Sequence, residues 1–91
     1  MTGQQLAAVT GFMTQHGAAN VQIDRSVRDP TITVYIAGAY SLCVFNSPGG
    51  RFNLKYYKDE MLHRDDIMKP AVIYADGVGL FYQNGLSTIL D

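Results

Sequence analysis

The stretch from Leu62 to Gly85 decides the fold, and it reads LHRDDIMKPAVIYADGVGLFYQNG. In this stretch an apolar run of β-branched and aromatic residues leads into the pair Asp76-Gly77, and a second run leads into Asn84-Gly85. Both pairs readily supply the positive φ angles that tight hairpin turns require. The stretch therefore predicts a β-meander, and no residue set in it is arranged for catalysis.

The segments on either side of the meander also show the two-residue period of strands. Strands are predicted around residues 21–23 and over 31–37, 40–46 and 51–57, and a last short strand over 86–90. In residues 31–37, Ile32, Val34 and Ile36 share one face, and Tyr35 lies on the other, outward phase. Residues 40–46 are apolar in both phases, which predicts a central strand and a buried, structural Cys43.

The strand over residues 51–57 has a clear division of faces. Phe52, Leu54 and Tyr56 are predicted to fill the core, and the opposite phase, which includes Lys55 and Tyr57, is predicted to face outward. The turn signal Ser-Pro-Gly-Gly over residues 47–50 separates this strand from the one before it.

One long helix is predicted for residues 2–16. Thr2 and Gln5 match a capping box, and Gly17 suits the left-handed position just past a helix end. We therefore expect a single domain over residues 1–91 of the α+β class, with one N-terminal helix packed on an antiparallel β-sheet, a meander of five to six strands.

The order Leu-His-Arg-Asp, Pro-Ala-Val-Ile, Asp-Gly and Phe-Tyr-Gln-Asn-Gly in residues 62–85 resembles one unit of a divergent MORN-like repeat. Such units are β-hairpins found in small bacterial and bacteriophage proteins, and the likeness covers residues 58–85. The first turn of the repeat usually reads Asp-Gly-Pro-Ala, whereas residues 66–70 read Asp-Ile-Met-Lys-Pro here. The resemblance implies a scaffold used for contacts, with no catalytic residues. The matched positions are Leu62, His63, Arg64, Asp65, Pro70, Ala71, Val72, Asp76, Gly77, Tyr82, Asn84 and Gly85.

Composition excludes several classes of protein. The chain has 91 residues, of which 47% are hydrophobic and 16% are charged, a balance opposite to that of disordered chains. The net charge of −1 makes nucleic acid an unexpected partner. The single cysteine fits a reducing compartment, and no signal peptide or spanning segment is seen, so we expect a cytoplasmic protein that is not bound to a membrane.

His63, Asp65, Asp66 and Glu60 form the most suggestive polar cluster. Metal binding or acid–base catalysis would need two or three of these side chains to converge on one point. An extended segment would place His63 and Asp65 on the same side, but we expect a solvated connection in which Arg64 pairs with a neighbouring acid. We therefore assign no catalytic residue, no metal and no cofactor, and expect a protein that is not an enzyme.

The function that we expect is that of a protein which binds and occludes a protein partner. The six tyrosines and the low charge are typical of binding surfaces. By analogy with phage accessory proteins of this build, the partner would be a host enzyme or a defence system, as for anti-CRISPR inhibitors. An unpaired edge strand also predicts a homodimer. The predicted contact residues are Tyr35, Arg51, Lys55, Tyr57, His63 and Arg64.

The alternative is a protein that binds or sequesters a small ligand. A tyrosine-lined site would hold a nucleotide or a similar molecule, with Arg51 or Arg64 on its anion.

Overall fold

The structure is a computed structural model that describes residues 2–25, 31–46 and 52–88. Its elements are one helix, α1 (Gly3–His16), and nine strands: β1 (Asn20–Arg25), β2 (Thr31–Ala37), β3 (Tyr40–Asn46), β4 (Phe52–Lys58), β5 (Met61–Leu62), β6 (Val72–Tyr74), β7 (Gly79–Leu80), β8 (Tyr82–Gln83) and β9 (Leu86–Ser87). Arg51 lies outside the described part of the chain, as do the side chains of Asp24, Arg25, Thr31 and Phe52.

The strands form a seven-stranded sheet and a separate two-stranded sheet. The order in the large sheet is β1-β2-β3-β4-β6-β7, with β5 also paired to β4, and β8 pairs with β9. All of these pairings are antiparallel. The α+β class with one helix on an antiparallel sheet is confirmed, and β3 is an inner strand as predicted. The predicted meander of five to six strands is instead a sheet of seven strands with a separate pair, β8 and β9.

The sequence does not predict strand β5, because this strand lies in a segment that reads as a polar connection. The turn that leads into it consists of Asp59 and Glu60, whose φ angles are 51° and 65°. A turn with two positive φ angles normally requires Asn-Gly or a similar pair, so this one gives no signal in the sequence. The Asn84-Gly85 turn, with φ angles of 50° and 83°, is the predicted hairpin turn of this type.

Helix α1 begins and ends as the sequence predicts. The Thr2 hydroxyl accepts a hydrogen bond from the Gln5 amide at 3.1 Å, and the Gln5 side chain accepts one from the Thr2 amide at 2.9 Å. The same Gln5 side chain donates to the Phe45 carbonyl oxygen at 2.8 Å, which fastens the first turn to the end of β3. Gly17, with a φ of 81°, follows the last helical residue.

The core lies between α1 and one face of the sheet. Val9 and Phe12 of the helix pack against β3 and β4, and the strand residues in this buried cluster are Leu42, Val44, Leu54 and Tyr56. Leu54 and Tyr56 are thus core residues, as predicted.

Tyr35 does not face outward, so this part of the sequence interpretation is wrong. It pairs with Leu42 in the register of β2 and β3, and Leu42 pairs with Tyr56 in that of β3 and β4. Paired residues share a face, so Tyr35 lies on the helix side, where it packs against the core. The register with β3 therefore decides which face of β2 turns towards the helix. The face that carries Val34 and Ile36 points away from the helix, although it is more apolar than the face that carries Tyr35.

Candidate functional site

The segment after β5 is held in place by the hairpin of β8 and β9. The Gly85 amide donates a hydrogen bond to the Leu62 carbonyl oxygen at 2.8 Å, and the Gln83 side-chain amide donates to the carbonyl oxygen of Arg64. The solvated connection expected from the sequence is therefore a docked segment with a defined backbone.

His63 is buried, with 8% of its surface exposed, and both of its ring nitrogens are engaged. Its Nδ1 accepts a hydrogen bond from the backbone N–H of Asn84 at 3.0 Å. Because a backbone N–H can only donate, the ring proton lies on Nε2, which donates to Asp65 Oδ1 at 2.8 Å. A histidine bonded in this way joins two segments of the chain, and neither of its nitrogens is left to act as a general base on a substrate.

Asp65 accepts a second hydrogen bond, from the Tyr40 hydroxyl at 2.8 Å. Both hydrogen bonds lower the pKa of the Asp65 carboxyl group because they favour its charged form, and the bond from Tyr40 has the larger effect. The His63–Asp65 pair that the sequence allows does form, and Tyr40 is a third member that the alternation pattern did not identify. It is missed because Tyr40 lies in the core-facing phase of β3.

Arg64 makes a contact different from the ion pair expected. Its guanidinium carbon lies 3.7 Å from the centroid of the Tyr56 ring, and its Nη1 donates to the Pro70 carbonyl oxygen at 2.9 Å. This stacking is a cation–π interaction. Burial raises the pKa of the Tyr56 hydroxyl, and the nearby Arg64 charge opposes that rise.

A cleft of about 410 Å³ lies between α1 and the docked segment. The helix contributes small residues to it, including Gly11, where an added Cβ would meet nothing within 4 Å. At one end of the cleft His16 stacks on Tyr40, with ring centroids 4.3 Å apart. The charged side chains along its far wall are Arg64, Asp65, Asp66 and Lys69, so positive and negative charges balance.

The second candidate region is the face of the sheet opposite α1, which we call the open face. In the strand registers, Ile32 pairs with Phe45, and Val34 pairs with Cys43. None of these residues belongs to the buried cluster beneath the helix, and each is partly exposed. The side chains of the open face used below are Ile32, Val34, Ile36, Cys43, Phe45, Lys55 and Tyr57.

A shallow pocket of about 500 Å³ lies at one end of the open face. Val34 and Ile36 provide its apolar lining, and Asp59 and Glu60, from the β4–β5 turn, add two exposed carboxylates. Farther along the face, the Lys55 ammonium nitrogen lies 5.6 Å from the centroid of the Phe45 ring. The pocket thus combines an apolar surface with a negatively charged edge.

The structure divides the six predicted contact residues among different regions. Lys55 and Tyr57 lie on the open face, Tyr35 lies on the helix side, and His63 is buried. Arg64 lines the cleft, together with atoms of Tyr57 and His63. Arg51 lies outside the described residues.

Cys43 is partly buried on the open face, so it is less enclosed than predicted. Burial raises the pKa of its thiol, and the charge of Lys55 opposes the rise. A raised pKa reduces the thiolate fraction at neutral pH, which agrees with a structural role.

Within the described residues, no group of three His, Cys, Asp or Glu side chains could hold a metal ion. In the same part of the chain, no helix is long and apolar enough to cross a membrane. Comparisons with protein families, with curated proteins and with solved structures give no match. The MORN-like resemblance stays a prediction.

Proposed function

We propose that this chain is a non-enzymatic binding protein that occludes the surface of a protein partner with the open face of its sheet. The observation that carries the proposal is that the most apolar phase of β2, formed by Ile32, Val34 and Ile36, points away from the helix. Contiguous apolar surface of this kind is typical of protein interaction sites.

The charges beside this face define the chemistry of the partner. The carboxylates of Asp59 and Glu60 lie next to the apolar lining formed by Val34 and Ile36. A complementary partner would present an apolar side chain flanked by Lys or Arg, because opposite charges at an interface steer association and fix its register. By analogy with small phage inhibitors, a host enzyme or a defence complex is the first class of partner to examine.

The test is quantitative capture of partners from a lysate of the organism that encodes the chain, with matched variants as bait. Val34→Thr replaces a methyl group on the open face by a hydroxyl group at nearly constant volume, and Val78→Thr makes the same change in the exposed turn between β6 and β7. Asp59→Asn with Glu60→Gln removes the two charges without changing the shape. We expect a partner that is retained by wild type and Val78→Thr and lost with the other two baits. Equal retention by all baits would contradict the proposal.

A second candidate function is favoured by the cleft of about 410 Å³, which falls in the usual range for small-ligand sites. A small molecule there would place its anionic group on Arg64. A thermal-shift screen with nucleotides should then raise the unfolding midpoint. Gly11→Leu would fill the cleft and abolish the shift, whereas Gly11→Ala would retain it. No shift with any nucleotide would argue against this candidate.

A further inference from the structure

Strand β1 is the one long free edge of the sheet in the described part of the chain. It has six residues and pairs only with β2, whereas the strand at the other end, β7, has two residues. At roughly 3.3 Å per residue, β1 presents about 20 Å of edge. A long edge strand offers a row of backbone donors and acceptors to another strand, and very short edge strands avoid this.

The side chains beside this edge are apolar and exposed. Val21 is 51% exposed and Ile23 is 60% exposed. Both lie on the helix side of the sheet, because Val21 pairs with Tyr35 and Ile23 pairs with Thr33. Helix α1 packs on β3 and β4 and leaves this part of the sheet uncovered.

The helix contributes further apolar surface above the uncovered strands. The flank of α1 that carries Gln4 faces β4, since the Gln4 side chain accepts a hydrogen bond from Asn53 at 3.4 Å. By helical periodicity, Leu6 and Met13 share the opposite flank, which faces β2 and β1, and both are exposed. The edge strand thus has exposed apolar side chains on one face, with more of them on the helix flank beside it.

We propose that β1 is the site at which a second copy of this chain adds, with the two β1 strands paired antiparallel about a two-fold axis. The first four residues of the strand, Asn20 to Ile23, are uncharged. With the axis at Gln22, Val21 lies opposite Ile23 of the second copy and Asn20 lies opposite Asp24, so the pairing places no like charges opposite one another. Such an interface is self-complementary, as a two-fold dimer requires.

This arrangement places both helices on the same side of one continuous sheet. The two open faces then lie together on the other side, where both copies remain able to bind a partner. Pairing of five residues on each strand, about 17 Å in length, makes a small interface. Small interfaces are typically weak, so we expect a dimer that dissociates on dilution.

Light scattering coupled to size exclusion, over a wide range of micromolar concentrations, tests the proposal. The expected mass rises towards twice the 10.0 kDa of the monomer as concentration increases. Ile23→Lys places a charge at the edge and should keep the mass at that of the monomer. Ile67→Lys is the matched control, because Ile67 is 63% exposed and lies outside β1, and it should behave as wild type.

A cross-linking experiment covers the case in which Ile23→Lys fails to fold. In a Cys43→Ser background, a cysteine at the two-fold axis lies opposite its own copy, at a distance of about 4.5–5.5 Å between Cα atoms that suits a disulfide. Gln22→Cys, which lies at that axis, should therefore form a covalent dimer on mild oxidation, while Ile67→Cys should not. A monomer mass at every concentration, or a dimer that Gln22→Cys does not capture, would overturn the proposal.

Discussion

Replacing Glu60 by glycine is expected to stabilise the protein by about 0.5–1 kcal/mol. Glu60 has a φ of 65° in the turn between β4 and β5. An L-residue in this left-handed region costs roughly 1–2 kcal/mol relative to a right-handed conformation. Glycine relieves that cost, but it loses about 0.5–1 kcal/mol through its greater freedom in the unfolded chain. For a domain of this size the net gain should raise the melting temperature by about 2–8 °C.

Thermal and urea unfolding followed by circular dichroism measure this effect, and Glu60→Ala is the matched control. Alanine removes the same carboxylate but keeps the steric cost of a positive φ, so its stability should stay close to that of wild type. Asp59→Gly should gain less than Glu60→Gly, because aspartate tolerates the left-handed region better than glutamate. If Glu60→Gly were no more stable than Glu60→Ala, backbone strain in this turn would be refuted.

Three further predictions concern the core, the polar network and the thiol. Leu54→Ala should lower the free energy of unfolding measured in urea by about 2–5 kcal/mol, because the side chain is fully buried. Lys55→Ala with Tyr57→Ala, both on the partly exposed open face, should lower it distinctly less, and a larger loss for this pair would show that the faces are assigned the wrong way round. Asp65 has a lowered pKa in the folded state, so its stabilising contribution should be full above the ordinary aspartate pKa of about 3.9 and be lost as pH falls through the lower folded value. The free energy of unfolding of wild type should therefore approach that of Asp65→Asn as pH is lowered, and parallel curves would contradict this. Native-state labelling of Cys43 should be slow at neutral pH and become fast in denaturant, since burial raises the pKa of its thiol.

The sequence predicts those elements whose signals are local. The capping box of Thr2 and Gln5 marks the start of the helix, and the Asn84-Gly85 pair marks a hairpin turn. Apolar residues in both phases identify β3 as an inner strand. Each of these features depends on neighbouring residues alone, which is why single-sequence reasoning recovers it.

The hydrogen-bonded network of Tyr40, His63, Asp65 and Asn84 could be predicted only in part, because Tyr40 and Asn84 are distant from the other two residues along the chain. Alternation correctly allows His63 to meet Asp65 two residues later. The Tyr40 hydroxyl and the Asn84 amide come from β3 and from the β8–β9 turn, and only the tertiary fold brings them to the same place. The proton on Nε2 of His63 is fixed by the Asn84 amide, so the structural role of this histidine cannot be read from its own segment.

For strand β2, the apolar pattern of the sequence and the tertiary structure indicate opposite faces for the core. The pattern of β2 shows that Val34 and Ile36 share the more apolar phase, and an isolated strand would be expected to turn that phase towards the core. Register with Leu42 instead turns Tyr35 towards the helix, since Leu42 lies in the phase of β3 that the helix buries. The aliphatic phase of β2 is then left on the open face, where the helix does not reach it. A partner on the open face would bury what the fold itself leaves exposed, which is why we move the proposed contacts from Tyr35 and His63 to this surface.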